Sequence, residues 1–170
     1  MLNNNVINHI KSFEGLSLKP YQDQAGVWTI GYGNTYYENG KKVSSKDAPI
    51  TRERANLLFT TIVNQFAKGV KGLIISSVNS NQLGALVSLT YNIGLGAFKQ
   101  STVLKRVNEN PNDPSIGEAI ARFKNVKGVP NKGLINRRAS EWVLYKSNPV
   151  IDNLIIPVLL FFFTVFTISL

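Results

Sequence analysis

The amino-acid sequence contains no cysteine, only one histidine and few acidic residues. Of its 170 residues, 10 are Asp or Glu and 19 are Lys or Arg, which gives a formal net charge of +9. The lack of cysteine excludes disulfide bonds and thiolate zinc sites. The one histidine, His9, could supply only one ligand of a metal site or one member of a Ser-His-Asp triad. We therefore interpret His9 as an ordinary residue of the first helix.

The basic residues are scattered along the chain in pairs such as Lys105–Arg106, and no cluster of five or more occurs. A net positive charge attracts polyanions such as nucleic acid, anionic lipid or a bacterial wall. A nucleic-acid-binding module would need clustered Lys and Arg with interleaved aromatic residues or a recognition motif. Neither is visible, so we expect no nucleic-acid partner.

The two ends of the chain differ in character. The first residues, "MLNNNVINHIKSFEG", have neither a basic region nor a continuous apolar run, so no signal peptide is predicted. The stretch from Leu154 to Leu170, "LIIPVLLFFFTVFTISL", carries no charge and has about the minimum length of a membrane span. It allows three interpretations: a membrane anchor, an aberrant end or a segment packed on the domain. We divide the chain into a domain, residues 1–148, and a tail, residues 149–170.

Hydrophobic periodicity predicts a short first helix that ends near Gly15, followed by a small antiparallel sheet over residues 16–46. The helix is indicated by apolar residues at helical spacing, namely Val6, Ile7, Ile10 and Phe13. In the sheet region, "YYENGKKV" places Asn39–Gly40 between two strand-like runs. This arrangement predicts a hairpin with a type I′ turn.

The rest of the domain shows helical periodicity. Thr51 is the predicted N-cap of a long amphipathic helix, and "NQLGALVSLTYNIG" predicts a buried helix that ends at Gly94 and Gly96. Further helices are expected over residues 114–124, after Asp113–Pro114, and over residues 134–145. The fold class is therefore α+β and mainly helical, with a small sheet lobe, a larger helical lobe and a cleft between them.

Two acids lie close together in "FEGLSLKPYQDQAGVWTIGYG", the stretch from Phe13 to Gly33. Glu14 follows the first helix, whose negative end and apolar neighbours favour a protonated carboxyl. Asp23 lies in a polar loop, where an ionised carboxylate is favoured. Two carboxyls held in different protonation states are typical of glycoside hydrolysis. Two acids at this spacing also occur by chance as surface residues, so the spacing alone does not establish catalysis.

A longer pattern of residues strengthens this interpretation. Glu14, Asp23 and Thr29 reproduce a Glu-x8-Asp-x5-Thr arrangement, and ordered segments such as "ITRERANLLF", "ALVSLTYNIGLGAF" and "GLINRRASE" follow it. The pattern resembles the phage-type lysozymes of glycoside hydrolase family 24 over about residues 6–146. The resemblance implies a lysozyme-like fold to which the apolar tail is an addition.

The resemblance implies a muramidase that cleaves the β-1,4 bond between N-acetylmuramic acid and N-acetylglucosamine in peptidoglycan. It makes Glu14 the general acid, Asp23 the carboxylate that faces the sugar ring, and Thr29 the hydroxyl that helps to place the attacking water. It implies no metal and no cofactor. Tyr91, Asn92 and Ser101 match cleft positions that could bind substrate, although each could instead be an ordinary helix residue.

Other matched residues have open interpretations. Gly31 and Gly33 could let the polysaccharide approach the sheet closely, or they could form a bulge or twist. Asn34 stands where the family usually has histidine, which puts in doubt a structural ion pair but not the chemistry. We interpret "INRR", which contains Arg137 and Arg138, as structural more than catalytic.

An alternative function is a protein with a lysozyme fold that binds wall glycan without cleaving it. The presence of all three residues Glu14, Asp23 and Thr29 argues against this alternative. As an endolysin the chain is expected to be a monomer that collects in the host bacterial cytoplasm before its release to the wall. A contact with the membrane would come through residues 154–170.

Overall fold

The computed structural model describes residues 1–23 and 25–148. Our predictions for the tail, residues 149–170, lie outside the described residues. Within the described residues, no helix has the length and apolar character that a membrane crossing requires.

Helix α1, Asn4–Lys11, opens the chain and is capped by Asn3, whose side chain accepts a hydrogen bond from Val6 N. Its buried face consists of Val6, Ile7 and Ile10. The helix ends two residues earlier than its apolar pattern predicted, because Phe13 and Glu14 follow in a turn closed by a hydrogen bond from Glu14 N to Lys11 O, 3.0 Å. This turn points the chain from the helix into the sheet.

The predicted antiparallel sheet consists of β1, Ser17–Gln22, and β2, Trp28–Gly31. Tyr21 pairs with Thr29 across the two strands, and the register shifts between Ser17 and Tyr21. Gly31 and Gly33 have φ angles of 65° and 79°, a region that residues with a Cβ rarely adopt. The need for glycine here is thus explained by the backbone conformation.

The hairpin at Asn39–Gly40 forms, but its predicted turn type is wrong. Gly40 N donates to Tyr37 O, and Gly40 has a φ angle of 82°. Asn39 lacks the positive φ that a type I′ turn needs, since Lys127 is the one non-glycine residue with positive φ in the described chain. The geometry is that of a type I turn followed by a glycine bulge. The flanking runs pair only through an isolated bridge, Tyr36 with Lys42.

A turn of the type I′ kind occurs elsewhere in the chain. Strands β3, Asn125–Val126, and β4, Val129–Pro130, form a two-stranded hairpin. The two residues between them, Lys127 and Gly128, have φ angles of 48° and 81°. The sequence analysis missed this hairpin because each strand has only two residues, too few to show a period of two.

The helical lobe follows the first sheet. It contains α2, Arg52–Leu73, α3, Ser80–Ile93, α4, Leu95–Lys99, α5, Thr102–Glu109, α6, Ser115–Ala121, and α7, Lys132–Lys146. Thr51 caps α2 as predicted. Two predictions need correction. Gly96 lies inside α4 rather than at the end of α3, and α6 ends at Ala121 rather than near residue 124. Helices α4 and α5 were not predicted.

Helix α3 is the centre of this lobe and packs against α1, α2, α4 and α7. All nine residues from Gln82 to Thr90 are buried, as the almost continuous apolar sequence of this helix predicted. Gly84 lets α1 approach closely, because a Cβ built on it would lie 2.7 Å from Val6 Cγ2. The position of α1, and therefore of the residues that follow it, depends on this contact.

We predict that Gly84→Ala destabilises the protein by about 1–3 kcal/mol, since the added methyl group overpacks a buried contact with Val6. Gly72→Ala is the matched control in α2, because a Cβ there meets nothing within 4 Å, and it should stabilise by roughly 0.5–1 kcal/mol. Equilibrium urea unfolding measures both changes. Val6→Ala should recover part of the loss in the Gly84→Ala background, and equal effects of the two alanines would contradict a tight contact.

Candidate active site

The first sheet and the segments beside it bring together the three residues of the Glu-x8-Asp-x5-Thr pattern. Glu14 precedes β1, Asp23 follows β1, and Thr29 lies on β2 opposite Tyr21. The side chain of Glu14 is only 17% exposed. Its Oε2 lies 3.4 Å from the position that a Cβ on Gly33 would occupy. The carboxyl of Glu14 therefore rests against the backbone of the glycine-rich segment.

Arg137 of α7 forms an ion pair with Glu14, with 2.8 Å between Nη1 and Oε1. The arginine side chain is 5% exposed, so little solvent screens the pair. The pair holds the carboxyl of Glu14 against α7. The sequence analysis treated Arg137 as structural and did not foresee this contact.

Asp23 organises the short loop that connects β1 to β2. Its Oδ1 accepts hydrogen bonds from Ala25 N at 2.8 Å and from Val27 N at 2.9 Å. The main chain of Asp23 also bonds to Val27 and Gly26. Among the described residues, no hydrogen bond ends on Oδ2, which leaves that oxygen available to a ligand.

Thr29 is buried, with 2% exposure, and its hydroxyl donates to Val27 O at 3.0 Å. The single hydroxyl hydrogen is thus engaged, while the oxygen lone pairs can accept a hydrogen bond from a water. Thr29 contacts the same loop that Asp23 organises.

Tyr21, on β1, lies between Glu14 and Asp23 along the chain and was not identified from the sequence. Burial raises the pKa of its phenol, and the negative charges of Asp23 and Glu14 raise it further. Tyr21 is 38% exposed to solvent. Its pairing with Thr29 places these two residues side by side on the sheet that Glu14 and Asp23 flank. Tyr21 belongs to the "YQD" segment, but only the strand register shows that it pairs with Thr29.

A buried ionic cluster lies behind Glu14 and is formed by Ser88 of α3 with Arg137, Arg138 and Glu141 of α7. Glu141 Oε1 accepts from Ser88 Oγ at 2.7 Å, from Arg137 Nε at 3.2 Å and from Arg138 Nη2 at 2.9 Å. Arg138 Nε lies 2.8 Å from Glu141 Oε2, an ion pair by distance without hydrogen-bond geometry. Burial raises the pKa of Glu141, and the two guanidiniums and the hydroxyl oppose that rise.

The predicted substrate-binding residues differ in how available they are. Asn92 is exposed. The Tyr91 hydroxyl donates to Tyr32 O at 2.9 Å, and its ring contacts Phe59 and Phe66 edge-on. Burial raises the pKa of Tyr91 above its ordinary value. The Ser101 hydroxyl accepts from Leu104 N and caps α5. Tyr91 and Ser101 are thus engaged in structural contacts.

Asn34, in the place of the family's usual histidine, is buried and pairs with Ile30 through two main-chain hydrogen bonds. Its side-chain Nδ2 lies 3.4 Å from the Tyr91 hydroxyl. This contact joins the sheet to α3 by a weak neutral hydrogen bond, where a histidine could have formed an ion pair.

The described residues around the site contain no metal cluster. In residues 1–23 and 25–148, no group of three or more His, Cys, Asp or Glu residues is placed to hold a metal ion. A recess of about 490 Å³ lies near the start of α1 and α3, lined by residues that include Leu2, Lys71 and Leu83. It contains none of the candidate catalytic residues. The candidate active site is therefore identified from its side chains and not from this recess.

Known proteins similar to this chain share its fold and much of its sequence. The family model described as phage lysozyme matches residues 11–141. The endolysin of Bacillus phage PZA is 41% identical over 143 residues, which are 83% of this chain and 53% of that protein. The chain thus spans about half the length of that relative. The endolysin of Salmonella phage P22 is 34% identical, and the match covers 86% of this chain and 98% of that protein.

Solved structures agree with these sequence matches. An endolysin from Escherichia coli O157:H7 phage FAHEc1 has a TM-score of 0.76 and 39% identity, and the match covers 86% of this chain and 93% of that structure. The residues that the family model matches include Glu14, Asp23 and Thr29. The chain belongs to the phage lysozyme family, and its described residues carry the α+β fold of that family.

Proposed function

We propose that the domain cleaves the β-1,4 bond between N-acetylmuramic acid and N-acetylglucosamine with Glu14 and Asp23 as the two reacting carboxyls. The observation that carries this proposal is the arrangement of the first sheet, in which Glu14 precedes β1, Asp23 follows β1 and Thr29 lies on the paired strand β2. Both carboxyls are held in place, Glu14 by Arg137 and Asp23 by two main-chain amides, whereas acids that occur by chance on a surface need no such support. No observation favours the non-catalytic alternative.

Glu14 acts as the general acid that protonates the leaving oxygen. Arginine cannot accept a proton, so the oxygen bound to Arg137, Oε1, stays an acceptor. The transferable proton is therefore carried on Oε2, the oxygen beside Gly33. Arg137 keeps the carboxyl in one orientation, which fixes the direction of proton transfer.

Asp23 and Thr29 act on the attacking water. Two amide groups fix Asp23 through Oδ1, which leaves Oδ2 to accept a proton from water or to face the positive charge on the sugar ring. The Thr29 hydroxyl has donated its hydrogen to Val27 and accepts a hydrogen bond from the same water. Asn92 contacts the glycan, while Tyr91 and Ser101 support the cleft wall.

The partner is the glycan strand of peptidoglycan, and the chain acts as a monomer without metal, cofactor or nucleic acid. The protein collects in the host bacterial cytoplasm and reaches the wall on release. The net charge of +9 favours its approach to an anionic wall.

Glu14→Gln should lower peptidoglycan hydrolysis by several orders of magnitude, because general acid catalysis alone contributes about 10²–10⁴-fold. The glutamine amide oxygen can still accept from Arg137, so the fold should survive. Glu118→Gln is the matched control, since Glu118 is exposed on α6. Turbidity clearance and circular dichroism measure the two properties. Clearance by Glu14→Gln at a rate near that of the parent, or loss of parental activity in EDTA, would contradict the proposal.

The reaction should invert the configuration at the anomeric carbon, as the family resemblance favours. Inversion needs roughly 6.5–9.5 Å between the carboxyls, whereas a retaining pair lies at about 5–5.5 Å. The first product released from a β-linked strand should then be the α-anomer, which proton NMR detects before mutarotation. A β-anomer as first product would assign Asp23 the role of nucleophile instead.

We propose that residues 154–170 anchor the enzyme to a membrane, with Lys146 on the domain side. The full chain should partition with membranes or aggregate, because an uncharged stretch of this length is close to a membrane span. A chain that ends at Asn148 should be soluble and equally active. Sedimentation with lipid vesicles and turbidity clearance measure the two properties. A soluble, monomeric full chain without detergent would contradict an anchor, and unfolding of the shorter chain would show that the tail packs on the domain.

A further inference from the structure

Of the buried ionic cluster of Ser88, Arg137, Arg138 and Glu141, only Arg137 has a part in the chemistry described above. Its members are between 0% and 4% exposed. Charged side chains are seldom buried so completely, and removal of each charge from water costs several kcal/mol. A cluster of this kind is weak evidence for stability, because apolar residues of equal size often stabilise as well. Its place behind the proposed acid suggests a different role.

The contacts of Arg137 show what the cluster constrains. Nε donates to Glu141 at 3.2 Å, Nη2 donates to Ser88 O at 3.2 Å, and Nη1 reaches Glu14 at 2.8 Å. Two edges of the guanidinium are therefore fixed by α3 and α7, and the remaining nitrogen is directed at the carboxyl. Without Glu141, Arg137 would lose one of these constraints.

The charges of the cluster act on Glu14 together. Arg137 and Arg138 contribute two positive charges, and Glu141 contributes one negative charge at their centre. With Glu14 ionised the four groups are neutral overall, and with Glu14 protonated they carry one positive charge. Removal of the Glu141 charge would leave two guanidiniums opposite Glu14, which would favour the ionised form that cannot donate a proton.

We propose that Glu141 is a positioning residue whose carboxylate holds Arg137 against Glu14 and offsets the charges of the two guanidiniums beside it. This inference rests on the proposed role of Glu14 as the general acid. Glu141 contacts no substrate and acts through Arg137.

Other titratable groups near Glu14 must be considered when its protonation is tested. They are His9 on α1, Tyr21 on β1, Asp23 after β1 and Tyr91 on α3. Burial and the charge of Arg137 lower the pKa of His9, and burial raises the pKa of both tyrosines. His9, Tyr21 and Tyr91 are therefore uncharged near neutral pH. Asp23 is unchanged in the variants below, so it does not alter their comparison.

Glu141→Gln tests the inference, because glutamine keeps an acceptor oxygen and removes the charge. A general acid must be protonated, so kcat/KM falls as pH rises past its titration. This fall should move to lower pH by about one unit in Glu141→Gln, since a nearby charge shifts a carboxyl by roughly 1–3 units. Activity at neutral pH should drop about tenfold and recover in acid. The measurement is kcat/KM on soluble peptidoglycan fragments over a pH series at constant ionic strength.

Arg138→Met gives a shift of the opposite sign, because it removes a positive charge and leaves Glu141. Its fall in activity should move to higher pH, and the double variant Arg138→Met, Glu141→Gln should lie near the parent. Ser88→Ala is the matched control within the cluster. It removes the hydroxyl that donates to Glu141 but no charge, so the pH of the fall should stay in place even if stability decreases.

The outcomes separate this inference from the proposed function. If Glu14→Gln keeps its activity, Glu14 is not the acid and the proposed function fails. If Glu14→Gln is inactive but the Glu141→Gln and Arg138→Met profiles keep the parental shape, the positioning role is wrong and the cluster is structural. If Glu141→Gln does not fold, the shift of Arg138→Met to higher pH supports the inference, and its absence overturns it.

Discussion

The ion pair between Glu14 and Arg137 is the contact on which the arrangement of the site depends. It joins residues 123 positions apart, so it forms only when α7 is already packed on α3 and α1 is in place. Each of these packings has a local cause. Gly84 allows α1 to pack closely on α3, and Asn131, which follows the β3–β4 hairpin, caps α7. The position of one carboxyl thus requires the assembly of the whole helical lobe.

The sheet supplies the second half of the site by different means. Asp23 is fixed by amides of its own loop, and Thr29 by the strand register and Val27. These contacts span few residues and need little of the helical lobe. One acid is therefore positioned by long-range packing and the other by a short hairpin. Changes in the helical lobe should disturb Glu14 more than Asp23.

Local patterns predicted much of the fold, because helix periodicity and caps are written in adjacent residues. Thr51 and the buried run of α3 show this. The patterns failed where the determinant was not local. Arg137 meets Glu14 across most of the chain, and the cap that Ser101 provides became visible only with α5, a helix that the sequence did not predict. The predicted turn type at Gly40 was wrong for a different reason. Asn-Gly occurs in more than one type of turn, and only the φ angles distinguish these types.

Charge is distributed unequally between the surface and the site. The chain carries a formal charge of +9, which favours approach to an anionic wall, whereas the groups around Glu14 are close to neutral. Surface charge is screened by salt and affects the approach of the protein to the wall. Buried charge is screened little and affects proton transfer in the site. Asn34 fits this separation, because it joins the sheet to α3 without adding a charge near Tyr91. A histidine there would introduce a group that titrates near neutral pH close to a carboxyl whose protonation the cluster behind it controls.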